Sequence, residues 1–444
     1  MRPFFVVACL CALLSLPAVL RAQSISGTVV DSSGAGLPGV SVSLPALHRG
    51  AVTGVDGRYR IAGLHPGAFV LEFALLGYRR EARTVQLSSD DARLDVSMTA
   101  SDLELPGLVV TGTPQPTDAL SSTQSVSAVS GRDLDRASGQ TIMKALEGAP
   151  GVTTYTTGAG IAKPVVRGLT SQRVLVLADG MRQEGQQWGD EHGPEIDAFD
   201  VERLEVVRGP GSVLYGSDAL GGVINVITHD LPSAERGDPL LGGRVSLQGY
   251  SGNRQGAGEL SLAGAAGGVG YRVRLSGRGA GDTRTPAGAL QNSGLSELNG
   301  GGQIGVSGEW GVVSADVSAF SERLEIHEDP AEDPEATPFQ RVEHRRAHLH
   351  VDLPSDAVRF ELDASYQRNI RREFEAAADV DPALHLDLRT AAFEARGHHR
   401  PLGRLIGTIG LSLSSQENAT LAEEKLIPGY SSRDAAAFLF EEFH

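Results

Sequence analysis

The sequence predicts a mainly β chain in three parts: a small N-terminal β-sandwich, a mixed α/β unit, and the first part of an antiparallel transmembrane β-barrel. Three observations carry this. Short apolar and polar runs alternate between Gly-rich turns over residues 24–100, the pattern turns mixed over 126–231, and beyond 240 long strands carry apolar residues at every second position. At 444 residues the chain exceeds one ordinary domain. After the first twenty residues no stretch stays apolar for the roughly eighteen positions that a membrane helix needs. A barrel escapes that test, because residues facing lipid alternate with residues facing inward. The net charge of −16 argues against a nucleic-acid partner, which requires a basic face to displace phosphate counterions.

Residues 1–22 read as a secretory signal peptide. Arg2 gives the positive start, Phe4 to Leu14 the apolar core, and Ala22 the small residue before the cut. Both cysteines, Cys9 and Cys11, lie inside this segment. An exported chain without thiols has no disulfides, cysteine nucleophile or cysteine-bound zinc.

Within 23–100, turns at Ser33-Gly34-Ala35-Gly36, Val55-Asp56-Gly57 and His65-Pro66-Gly67 punctuate the strands of a small sandwich. Ile25-Ser-Gly-Thr-Val-Val-Asp31, Leu37-Pro-Gly-Val-Ser-Val42, Gly57-Arg-Tyr-Arg-Ile61 and Gly77-Tyr78 resemble the carboxypeptidase regulatory-like domain. The resemblance implies a non-catalytic module that also stands at the front of many TonB-dependent receptors.

Residues 101–117 form a linker. In it Leu108, Val109, Val110 and Thr111 make a short β-prone run fenced by Pro and Gly. Four residues cannot bury themselves against a core of their own, so this strand is expected to await a partner for its backbone hydrogen bonds.

From 118 to 231, Gly131-Arg-Asp-Leu-Asp135 leads into a helix over Thr141 to Glu147 that stops at Gly148, with Pro150 beyond. Strands are expected at Val165–Gly168, Arg173–Gly180, Val201–Pro210 and Gly222–Thr228. Six motifs follow in order: Ala149-Pro-Gly-Val152, Val166-Arg-Gly168, Ala178-Asp-Gly180, Glu202-Arg-Leu-Glu-Val-Val-Arg-Gly-Pro210, Leu214-Tyr-Gly-Ser217 and Ala219-Leu-Gly-Gly-Val-Ile-Asn-Val226. Together they resemble the plug domain of TonB-dependent outer-membrane receptors.

In 240–444, Val358, Phe360, Leu362, Ala364 and Tyr366 are expected on one face of a strand, with Arg359, Glu361, Asp363, Ser365 and Gln367 on the other. The insert 327–339 is expected to be an extracellular loop. About eight to ten strands can be placed, against about twenty-two in the family that the plug resembles, so the barrel reads as incomplete.

No Gly-x-Ser-x-Gly elbow, Walker loop or His-Glu-x-x-His helix is present, and the chain is not expected to be an enzyme or to carry a cofactor. Arg208–Gly216 is Gly-rich but lacks the lysine of a phosphate loop. His192-Gly-Pro-Glu195 matches the His-x-x-Glu pair of zinc carboxypeptidases at a spacing that chance supplies, with Pro194 between the two residues. The polar, turn-rich run Gln183–Gly193 is a candidate apical loop, in which Trp188, Asp190, Glu191 and His192 are the candidate ligand contacts. His192 together with His344, His348 and His350, the last three on the inward face of one strand, is a candidate metal set. The loop and the stretch around Glu343-His-Arg-Arg346 resemble a subgroup of these receptors linked to zinc or other metal uptake. Scattered histidines in an acidic barrel are equally ordinary wall residues.

The resemblance implies energised uptake of a scarce small extracellular ligand. TonB of the inner membrane would add a strand at Leu108–Thr111, the barrel would meet outer-membrane lipid, and the sandwich would hang in the periplasm. The rival readings are a structural or adhesive barrel, a sensor receptor and a secreted zinc peptidase.

Overall fold

The structure is a computed structural model describing residues 23–443 except 32–33, 48, 76–77, 79–80, 89, 100–108, 111–116, 119–124, 138, 159, 210–214, 217, 233–238, 309, 329–335, 356–357 and 400–404. The expected signal segment, together with Leu108 and Thr111, lies outside the described residues.

Two four-stranded sheets face each other in the N-terminal unit. One is built on Gln23–Val30 paired antiparallel with Arg58–Leu64. The other runs Arg49–Val52, Ser41–Leu44, Gly67–Ala74, Glu81–Leu87. Alternation puts Ile25, Val29, Val42, Leu44, Ile61, Leu71 and Phe73 between them. Tyr59 meets Phe73 edge-on at 5.5 Å while its hydroxyl donates to the Leu94 carbonyl at 2.7 Å. Gly57 is required where it stands: φ is +75°, and a Cβ there would lie 2.4 Å from the Val29 carbonyl oxygen.

The linker strand departs from expectation. Val109–Val110 is not isolated but pairs antiparallel with Thr117–Asp118. A short antiparallel partner in the same linker thus takes up backbone groups on one of its edges.

The middle unit is a five-stranded sheet ordered Ser125–Ser130, Val201–Arg208, Gly222–Thr228, Val174–Ala178, Met181–Arg182. The pair Val174–Ala178 and Gly222–Thr228 is parallel, and all the others are antiparallel. Val176, Leu204, Val206, Ile224 and Val226 form its core with Ile142, Met143 and Leu146. The expected helix over 141–147 is a 3-10 helix, Ile142–Gly148, and the regular α-helix is Arg132–Ala137, within the lead-in to it. Apolar side chains on the tighter helix, Ile142, Met143 and Leu146, still reach the core.

Ten antiparallel strands of 11 to 17 residues follow from Leu240 to Phe443, each paired with the next in sequence. At one end the connections are 267–268, 309–310, 354–357 and 400–404; at the other they include 281–294, 326–338, 375–383 and 421–429. The two faces invert the habit of a soluble sheet. Val245, Leu247, Leu260, Val273, Leu349, Phe360 and Ile409 are exposed, while Ser276, Asn299, His344, Gln367 and Arg371, on the opposite face, are buried. The alternation expected for 358–367 is present, with Phe360 and Tyr366 outward and Asp363, Ser365 and Gln367 inward.

Candidate functional site

The middle unit is held to the inner face of the long sheet by polar contacts at two depths, counted from the long-loop end, and below them a third polar cluster lies within the wall itself. At the top, the 183–193 loop leaves Met181–Arg182 and turns on itself: Gly185 N–H donates to Gln187 Oε1 at 2.9 Å, and Gln187 Nε2 to Glu184 Oε2 at 2.7 Å. Lys163 Nζ donates to the Gly189 carbonyl at 2.6 Å. The Gly189 N–H donates to His192 Nδ1 at 3.1 Å, so His192 carries its proton on Nε2, which lies 2.8 Å from Glu373 Oε1 on the wall. Gln340 Nε2 donates to the Glu191 carbonyl at 3.1 Å, and Arg371 pairs with both Glu195 and Gln340.

Burial sets the charge state of this layer. His192 is held well below the usual imidazole range by burial, reinforced by the Arg371 and Lys163 cations, and is neutral. Burial lowers Lys163 to about 8. Glu195 is pushed up by burial against the opposing pull of Arg371, and Glu191 by burial and the neighbouring carboxylates Glu373, Glu328 and Asp190.

At mid-depth, Arg346 Nη1 donates to Asp179 Oδ2 and Nη2 to the Ala178 carbonyl, both at 3.1 Å. Asp179 sits at φ +50° in its turn, a left-handed site that Asp tolerates, and its other oxygen accepts from the Thr228 N–H at 2.8 Å. Beside it Arg274 reaches Asp200 at 2.7 Å and Ser276 donates to Asp197 at 2.8 Å. Nearest the short turns, His348 stands between Asp316 (3.1 Å) and Asp363 (3.0 Å), and His350 contacts the same Asp363 oxygen at 2.8 Å.

Trp188 is half-buried, Asp190 exposed and Glu191 half-buried on the long-loop side; His192 is buried. The expected metal set is not brought together. His192 engages both ring nitrogens at the top, whereas His350 lies six residues down the strand from His344, about 20 Å away at the rise of an extended chain. His344 Nδ1 accepts from Asn369 at 3.2 Å. Among the described residues no three His, Asp or Glu side chains are arranged to hold a metal ion. Inward placement of His344, His348 and His350 is as expected; convergence is not, because one strand spreads its inward residues along the wall. The wall anchors Arg346 and Arg371 and their partners Asp179 and Glu195 do not stand out in the sequence as a contact set. Asp179 lies within the Ala178-Asp-Gly180 motif, but nothing local in the sequence marks its partner 167 residues away.

Residues 118–223 match the TonB-dependent receptor plug domain, and residues 24–99 the carboxypeptidase regulatory-like domain. The chain carries a TonB-dependent receptor plug domain. Over 143 residues it is 40% identical to the iron-regulated outer membrane virulence protein of Vibrio cholerae serotype O1, covering 30% of this chain and 21% of that one. Over 119 residues it is 36% identical to the vitamin B12 transporter BtuB of Photobacterium profundum, covering 27% and 20%. The plug and the long sheet together resemble the siderophore receptor PirA from Acinetobacter baumannii, with TM-score 0.57 and 16% identity over 72% of this chain and 54% of that one. They resemble the unliganded ferric citrate transporter FecA likewise, with TM-score 0.56 and 16% identity over 76% and 57%. The match thus spans about a fifth of the curated relatives and just over half of these two solved receptors. At this identity the structures show the shared fold: a plug against part of a receptor barrel.

Proposed function

We propose that the chain belongs to an outer-membrane receptor that takes up a small extracellular ligand by TonB-driven displacement of its plug. The observation that carries this reading is the plug–wall interface. Arg346–Asp179, Arg371–Glu195, Arg274–Asp200 and His192–Glu373 join plug to wall by ion pairs and hydrogen bonds. Contacts of this kind can be exchanged for water when a plug is pulled, whereas an apolar seam would oppose its exposure. In this reading the long loops face outward and the short turns and the sandwich face the periplasm. The parts then divide as follows: the signal 1–22, the sandwich 23–100, the linker 101–117, the plug 118–231 and the barrel from 240. The ligand meets Trp188, Asp190 and Glu191 from outside, while His192 braces the loop from beneath. The relatives are named for vitamin B12, siderophores and ferric citrate, which supports a receptor and leaves the ligand open.

TonB binds at Leu108–Thr111 by strand addition. Because Val109–Val110 already pairs with Thr117–Asp118, the added strand takes the other edge of Val109–Val110 or replaces that pairing. The test is proline substitution in the full-length receptor. Proline removes a backbone donor and fixes φ, whereas alanine leaves the backbone pairing intact. Val109→Pro or Val110→Pro abolishes energy-dependent uptake with surface binding within about twofold of wild type, while Val109→Ala and Val110→Ala transport normally. Wild-type uptake in both proline variants refutes the mechanism.

A further inference from the structure

The outward face of the long sheet carries a second chemistry besides its apolar belt. Cross-strand register places Arg323 opposite Arg341, Arg341 opposite Arg372, and Arg372 opposite His385. Four residues nearer the belt, Arg345 stands opposite Arg368 and Arg368 opposite Arg389. Like charges directly opposite one another destabilise a sheet, so two rows of three arginines are costly unless anions sit among them. The protein supplies some. Between the rows, Glu343 pairs with Arg345 (3.1 Å) and Arg372 (3.2 Å), and Asp387 with Arg368 and Arg389 (2.8 Å each). Glu325 pairs with Arg323 at 2.8 Å, and Glu417 lies opposite Arg389. Six arginines thus face four carboxylates, in a chain whose net charge is −16. Arg341 is packed over the stacked rings of Phe339 and Phe374, 5.4 and 5.5 Å from their centroids, with Arg323 4.2 Å from the Phe339 ring on the same face.

The position of this patch selects its occupant. Immediately toward the short turns the same face becomes apolar row by row: Ala347, Tyr366 and Ala391; then Leu349, Ala364, Phe393 and Leu413; then Val351, Leu362, Ala395 and Leu411. At the far rim Leu353 pairs with Phe360 and no arginine stands in that row. The basic rows therefore lie at one edge of the lipid-facing belt, on the long-loop side, and point away from the plug. Arginine on a lipid-facing strand costs about 2–4 kcal/mol at mid-membrane and about 0–1 near the interface, so these rows belong at headgroup depth. Guanidinium rows hold phosphate bidentately.

We propose that the outward arginine rows of strands 311–325, 339–353, 358–374 and 384–399 bind the phosphate groups of a lipid headgroup in the leaflet on the long-loop side. The proposal rests on the barrel reading of the long sheet and not on transport. Its test uses the full-length receptor, purified free of lipid in detergent and shown to be folded by heat-modifiable migration. The probes are lipid A bearing its two phosphates, the same lipid dephosphorylated, and inorganic phosphate. Expected are binding at least tenfold tighter to the phosphorylated lipid, no saturation by millimolar phosphate, and a loss of tenfold or more in the Arg341→Gln/Arg345→Gln/Arg368→Gln variant. The corresponding lysine triple retains part of the affinity, and Glu343→Gln, which removes a competing carboxylate, tightens binding. Equal affinity for both lipids, or a glutamine triple that binds as wild type, overturns the proposal; saturation by inorganic phosphate alone assigns an ordinary anion site and overturns the lipid. Lipid binding without ligand uptake refutes the transport reading alone, and a chain that never forms a heat-modifiable barrel refutes the reading on which both stand.

Discussion

His192 shows how a residue flagged for one chemistry is used for another. In sequence, His192-Gly-Pro-Glu195 has the spacing of two zinc ligands; in the fold the two residues are separate anchors, His192 to Glu373 and Glu195 to Arg371. A histidine whose Nδ1 accepts from Gly189 cannot take a second proton without breaking that bond. Its folded-state pKa is depressed by burial, with Arg371 and Lys163 adding repulsion, so the stability it contributes is complete above the ordinary value of 6.5 and is lost as pH falls below it. Amide exchange across Gly189–His192, corrected for its intrinsic pH dependence, should therefore quicken severalfold between about pH 6.5 and pH 5. His192→Gln, which keeps a donor and an acceptor but does not titrate, should remove most of that rise. A variant with an undiminished rise would mean that His192 is not the group that titrates.

At the scale of elements, what the sequence disclosed follows from periodicity. Period-two alternation is readable along 339–353 and 358–374 because each strand obeys it without reference to its neighbours. The 3-10 geometry of Ile142–Gly148 is not readable, since both helix types bring Met143 and Leu146, three residues apart, to the same side. Nor is the pairing of Val109–Val110 with Thr117–Asp118, which rests on two residues in each strand. Ion pairs between plug and wall are the least legible, because Glu195 and Arg371 are 176 residues apart and any inward arginine would serve as well on paper. These pairs are nevertheless where elements couple. Arg346→Ala leaves the half-buried Asp179 without its cation and should destabilise plug docking by about 1–3 kcal/mol, whereas Asp179→Ala/Arg346→Ala together should cost less than the sum of the two single changes. Hydrogen exchange of the Gly222–Thr228 strand, next to Asp179, measures it; strict additivity would mean that the two side chains act independently.

For the molecule as a whole, the distribution of apolar burial decides which parts can stand alone. The plug core and the sandwich core are separate clusters with no shared residue, and the long sheet turns its apolar face outward. The sandwich closes its core with its own strands: Gln23–Val30 is flanked by Arg58–Leu64 and Ala92–Arg93, and Phe73, Leu71 and Tyr59 fill the space between the two sheets. A unit of this size lies at the low end of what a single core can stabilise, so autonomy depends on that packing being complete. Residues 23–99 expressed alone should therefore fold cooperatively as a soluble β-domain without added metal. Phe73→Ala should cost about 3–5 kcal/mol and leave the isolated domain unfolded or nearly so, because the ring is fully buried between the sheets. Circular dichroism with chemical denaturation of the two proteins decides the matter. A wild-type fragment without a cooperative transition would mean that the sandwich requires the plug, with which it shares the cavity lined by Glu72 and Arg203, and that the two must be treated as a single folding unit.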